Sequence, residues 1–157
     1  MQNLKIFLPL VILLLVIIYT FSLFGGNTSP EGSFHRSEKV IVHKDPSCGC
    51  CGVYVSYLRR QGFEVEVDDN TDMDSIKDKF GIPSDLESCH TTEVGGYVVE
   101  GHIPVEVIDK LLSEKPEDIT GIAMPGMPSG SPGMPGPKSD FIIHSLDGAE
   151  NSVYMTL

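Results

Sequence analysis

Three of the four cysteines of this 157-residue chain fall within four positions, Cys48-Gly49-Cys50-Cys51. They lie between a β-branched run, Val40-Ile41-Val42, and a stretch whose apolar residues recur at helical spacing. The fourth, Cys89, stands about forty residues on, with His90 beside it. A strand that breaks at Asp45-Pro46-Ser47 and turns into a helix puts this cluster at the helix N-terminus. There, unpaired backbone N–H groups and a partial positive charge favour thiolates. Thiolate is the form that binds metals and attacks disulfides. Cys48 and Cys51 make a C-x-x-C pair, whereas Cys50 adds a thiol that a simple redox pair does not need.

The runs on either side set the architecture. Ser47 or Asp45 is positioned to cap the first helix, with Val53, Tyr54, Tyr57 and Leu58 recurring along it to Arg59-Arg60, and Gly62 stops it. Phe63-Glu64-Val65-Glu66-Val67 alternates as a strand, and Asp72 or Asp74 can cap a short helix ending at Phe80. Tyr97-Val98-Val99 reads as a strand paired through Gly95-Gly96 with a shorter one near Thr91–Val94. Pro104 opens a helix carrying Val105, Ile108, Leu111 and Leu112 on one face. The order β-α-β-α-β-β-α, with C-x-x-C at the first strand–helix junction, is that of a thioredoxin-like fold. It predicts an α/β mixed sheet flanked by helices.

Composition changes between Pro116 and Lys138. The stretch Gly121 to Pro135 is too rich in Gly and Pro to predict helix or sheet, so a long Met/Pro/Gly loop is expected, either functional or mobile. Phe141-Ile142-Ile143 and Val153-Tyr154-Met155 flank Asp147-Gly148, which predicts a closing C-terminal hairpin at the sheet edge.

Ahead of this domain, residues 6–24 form an apolar run broken only by Pro9, Thr20 and Ser22. Its nineteen residues are just enough to span a hydrocarbon core of roughly 30 Å. Residues 1–24 therefore read as an uncleaved signal-anchor, or a cleaved signal peptide, and 25–37 as a linker. Residues 38–157 are the domain. Lys5 on the short N-terminal side argues for export of the rest. The expected setting is the periplasm, with the domain tethered to the inner membrane by residues 6–24, or secreted there if that segment is cleaved. The formal charge of −11 becomes −12 once Lys5 is set aside. No basic stretch is present, so no nucleic-acid partner is expected.

An exported cluster of thiols needs a metal to protect it or a partner to recycle it; structural disulfides are the ordinary alternative in that setting. Four convergent sulfurs suit Cu(I), Zn(II) or an iron–sulfur cluster. Zinc usually takes two separated C-x₂₋₄-C pairs, and no known cluster spacing is present. A haem attachment is excluded because Gly52, not His, follows Cys51. Cu(I) prefers thiolate and thioether, and Met124, Met127 and Met134 supply thioethers, or else simply cover the sheet. His90 and His102 are further metal or supporting candidates; His43, just before the cluster, is at best a supporting one.

The motifs Cys48-Gly49-Cys50-Cys51-Gly52, Cys89-His90-Thr91, Gly96 through Pro104 and Pro125 through Met134 occur in this order. Together they resemble the exported metal-binding proteins of the copper-resistance CopG type, over about Val40 to the C-terminus. The resemblance implies a thioredoxin-like periplasmic domain associated with copper resistance, with Cys48, Cys50, Cys51 and Cys89 as copper ligands. It implies copper ions as cargo, and copper-transfer or redox proteins of the periplasm as partners. Ser88-Cys89-His90-Thr91 stands where true thioredoxins carry a proline before the third strand. That departure favours a metal site over a general disulfide exchanger. The competing reading is a thiol–disulfide oxidoreductase that uses Cys48 and Cys51 without metal.

Overall fold

The computed structural model describes residues 38–147 and 152–157. The signal-anchor and linker assignments, and Gly148 of the closing turn, lie outside the described residues. Among the described residues no helix is long and apolar enough to cross a membrane.

Seven strands form one mixed sheet in the order β2-β1-β3-β4-β5-β6-β7. They are β1 (Lys39–Lys44), β2 (Glu64–Asp69), β3 (His90–Val94), β4 (Tyr97–Glu100), β5 (Gly121–Ala123), β6 (Ile142–Leu146) and β7 (Val153–Thr156). Among the described residues three helices, α1 (Gly49–Arg60), α2 (Met73–Phe80) and α3 (Val105–Glu114), connect them. β1 pairs parallel with β2 and antiparallel with β3, and β4 pairs parallel with β5. The C-terminal hairpin adds β6 and β7 at the edge, as expected from Phe141-Ile142-Ile143 and Val153-Tyr154-Met155.

The main core lies where Val40, Val42, Val99, Ile122 and Ile143 meet α1 and α3. On α3 the buried set includes Val105, Ile108, Leu111 and Leu112, as the periodicity predicts, with Val107 added. A smaller cluster of Ile82, Leu86, Val98, Ala123 and Leu146, joined by Phe80, packs separately. Burying about twenty apolar side chains at ~1.5–3 kcal/mol each supplies the main favourable term of folding. Asp72 caps α2, its side chain accepting from the Ser75 N–H, and Gly81 ends it in the left-handed region at φ 65°.

Three local expectations need correction. Neither Ser47 nor Asp45 caps α1: Cys48 is the N-cap residue with no side-chain bond, because Asp45 folds back to accept from the Ser47 N–H at 2.7 Å. Val53 is half exposed; the buried stripe is instead Cys51, Tyr54, Val55 and Leu58, which follows the 3–4 spacing of a helix whose inner face starts at a cysteine. Gly121-Ile122-Ala123 is not loop but a fully buried strand. Its glycine is required, since a Cβ there would lie 2.0 Å from the Val98 carbonyl oxygen. Composition alone concealed a strand that neighbouring strands impose.

Gly121→Ala should therefore push β5 away from β4 and lower stability by about 1–3 kcal/mol or more, as overpacking does. A denaturation midpoint unchanged from that of the parent chain would contradict the close approach.

Candidate metal centre

The sheet gathers the chemistry at one end. β1 runs towards α1, and Lys44 at its end lies opposite His90, the first residue of antiparallel β3. Cys89 therefore arrives beside the N-terminus of α1. Glu100 at the end of β4 stands level with Ala123 at the end of parallel β5. The segments that follow, Gly101-His102-Ile103 and Met124 through Met127, leave the sheet at the same place.

Cys48 and Cys51 form a disulfide, and Cys50 and Cys89 are free thiols. The Cys50 Sγ lies 3.5 Å from that of Cys48 and 3.9 Å from that of Cys89. All four sulfurs fall within 4.8 Å of one another. Cys50 also lies 4.0 Å from the Met127 Sδ. Cys51 is enclosed while Cys48, Cys50 and Cys89 are half-buried, so the cluster is open to solvent at those three residues. No acidic residue occupies the first turn of α1, which leaves its N–H groups to face sulfur.

A second set overlaps the first at Cys89. Its sulfur lies 3.1 Å from His102 Nε2 and 3.4 Å from His90 Nδ1. His102 Nδ1 donates to the Pro132 carbonyl at 2.8 Å, so Nε2 presents its lone pair to the thiol. His90 stacks on Tyr54 at 4.5 Å and meets His102 edge-on at 4.7 Å. Its Nε2 is buried without a hydrogen-bond partner among the described residues. Burial holds both imidazoles below their usual range, in His90 helped by His102 and Lys77, so both are neutral donors near pH 7. Burial, followed by the neighbouring Cys50, pushes the Cys89 thiol up to about 12. A metal ion at Cys89 must displace a proton that the helix terminus alone does not remove.

The Met/Pro/Gly segment straps over this cluster and is closed by its own turns, including Ser139 N–H to the Ser129 carbonyl at 3.1 Å. Gly133 lets the strap approach: at φ 91°, a Cβ would come within 3.1 Å of the Cys50 carbonyl oxygen and 3.3 Å of His102 Nδ1. The three candidate thioethers separate. Met127 lies at the sulfurs, Met124 is fully buried in the main core, and Met134 is half-buried on the strap. His43 also lies apart from both sets, its nitrogens 2.7 Å from Asp68 and 2.7 Å from Glu93.

A residue that sequence reasoning passed over holds the backbone on either side of Cys89-His90. The enclosed Glu100 carboxylate accepts from the Ser88 N–H at 2.6 Å, from the Thr91 hydroxyl at 2.7 Å and from the Lys77 ammonium. Burial raises its pKa against the pull of those donors. In sequence it is one more polar residue at a strand end, and nothing local marks it.

The fold and this site define a small α/β protein with a compact sulfur and imidazole centre at one end of its sheet. Residues 86–134 match the family described as "Protein of unknown function, DUF411". Two solved structures are similar to this chain over most of its length. One, "Copper resistance protein copG- Form 2", is 35% identical at a TM-score of 0.71, covering 77% of this chain and 98% of that one. The other, "Copper resistance protein copG- Form 1", is 36% identical at 0.70, covering 76% and 96%. No curated protein sequence matches the chain. The chain belongs to the CopG-type copper-resistance family.

The lowered imidazole values carry a sign. Between the folded and unfolded values the unfolded chain binds more protons, so stability is present above about pH 6.5 and is lost as pH falls through it. Melting temperatures of the metal-free protein should fall from pH 8 to pH 5. His90→Phe should flatten that fall, and an unaltered slope would contradict a buried neutral imidazole.

Proposed function

We propose that this protein handles copper in the periplasm, holding Cu(I) through Cys48, Cys50, Cys51 and Cys89. The observation that carries the reading is the approach of four cysteine sulfurs within 4.8 Å of one another. It occurs in a chain 35% identical to a copper resistance protein. Thiolates are soft donors matched to Cu(I), and sulfurs this close can bridge more than one ion. Met127 is the thioether best placed to join them, and His102 Nε2 and His90 Nδ1 add nitrogen donors at Cys89. Met124 serves the core instead, and Met134 lies half-buried on the strap.

The sheet order β2-β1-β3-β4, with parallel β1–β2 and antiparallel β3, supports a thioredoxin-like architecture for the domain. In the proposed cycle, loading all four sulfurs first requires a dithiol reductant to open the Cys48–Cys51 bridge by exchange, itself ending as a disulfide. Closing the bridge again releases two electrons and two protons, enough to reduce two Cu(II) ions to Cu(I), with sequestration or transfer to a periplasmic partner as the outcome. Residues 6–24 would tether the domain to the inner membrane. The Cys48–Cys51 disulfide also favours a second reading, thiol–disulfide exchange without metal.

Cu(I) loading of the reduced full chain without oxygen, followed by challenge with a strong chelator, separates the two. Copper should be retained with four thiols protected, and Cys89→Ser should remove most of it. Unchanged copper stoichiometry in Cys89→Ser would sink the four-sulfur site. Rapid exchange of the metal-free protein with model disulfides, abolished by Cys48→Ser and accompanied by no copper retention, would establish the second reading instead.

A further inference from the structure

Among the described residues the most enclosed ion pair joins Lys77 of α2 to Glu100 of β4, with side-chain exposures of 5% and 0%. Stability gives a weak reason for its presence, since well-packed apolar residues often replace such a pair at no loss. α2 and the segment after it already pack apolar residues into the smaller core, through Phe80, Ile82 and Leu86. What a carboxylate does that an apolar side chain cannot is collect donors, and a buried charge strengthens each bond.

The donors collected here are selective. Oε1 accepts the backbone N–H of Ser88 and Oε2 the hydroxyl of Thr91, the residues that bracket Cys89-His90. Ser88 in turn donates its hydroxyl to the Gly126 carbonyl, and the Gly126 N–H donates to the Glu87 carbonyl at 3.1 Å. Gly126 immediately precedes Met127. One carboxylate therefore ties together the segments that deliver Cys89 and Met127 to the sulfur of Cys50.

We propose that Glu100 is a positioning residue: through Ser88 it holds Cys89, and with it Met127, at the distance from Cys50 that copper capture needs. The proposal rests on the copper reading for its cargo, but its primary test does not. In a full chain carrying Cys48→Ser and Cys51→Ala, only Cys50 and Cys89 remain, 3.9 Å apart. An azo oxidant such as diamide takes two electrons and two protons from that pair to make one disulfide. One thiol adds to the N=N bond and the other then attacks that sulfur and expels the hydrazine, so the rate of this second step reports how often the two sulfurs meet.

In that background we compare the parent with K77M/E100Q, which keeps a weaker neutral acceptor for Ser88, and K77M/E100L, which keeps none. Both remove the buried charge together with its partner, so stability changes little relative to breaking the pair. Cross-linking should slow in that order, by about tenfold for the leucine variant, the scale of one lost charge-assisted hydrogen bond. Equal rates in all three would overturn the proposal. If melting shows that K77M/E100L does not fold, the glutamine variant decides alone, and a parental rate in it overturns the proposal. The same substitutions in the four-cysteine chain should reduce Cu(I) retention in the same order. A parent chain that retains no copper would defeat the proposed function, while the cross-linking order would still judge Glu100.

Discussion

The centre depends on one pairing: antiparallel β3 against β1, with His90 opposite Lys44. Because β1 ends where β3 begins, the residue before β3 must lie beside the turn that follows β1. That register converts a separation of about forty residues between Cys50 and Cys89 into a 3.9 Å approach. A slip of one residue would turn Cys89 to the other face of the sheet. The parallel pairing of β4 with β5 repeats the device, so His102 and Met127 reach the same end without lying near it in sequence.

The electrostatics of the centre favour a soft cation over free thiolates. Enclosure keeps the imidazoles neutral and holds a proton on Cys89, while the disulfide removes charge from Cys48 and Cys51. Separated anions are costly in such a place, whereas sulfurs sharing a cation are not. The same enclosure explains the supporting hydrogen bonds. Glu100 secures the backbone around Cys89, and the Pro132 carbonyl orients His102 so that its free nitrogen faces sulfur. The protein thus invests buried polar groups in geometry around the sulfurs.

Much of the scaffold was legible residue by residue. Val40-Ile41-Val42, the helix ending at Arg60, the Asp72 cap, the Gly95-Gly96 turn and the apolar face of α3 all stand where local pattern puts them. Each is decided within a few residues, by φ/ψ preference, capping or periodicity. β5 escaped because Gly121 carries no strand signal; it is a strand only because Val98 and Leu146 pair with it on either side. Met124 looked like a loop thioether for the same reason, yet it closes the core just beyond that strand.

The sequence by itself determined that three cysteines would crowd a strand–helix junction and that a Cys-His pair would stand at the start of a later strand. Those facts follow from short-range spacing. Only the tertiary structure decided the rest: that Cys48 bridges Cys51, that Cys89 meets Cys50 and two imidazoles, and that Met127 alone of the three methionines stands at the sulfurs. It also placed the Glu100 carboxylate on the Ser88 N–H, next to Cys89. These are contacts between strands and straps distant in the chain. Their distances are set by sheet register and core packing, which no local run of residues encodes.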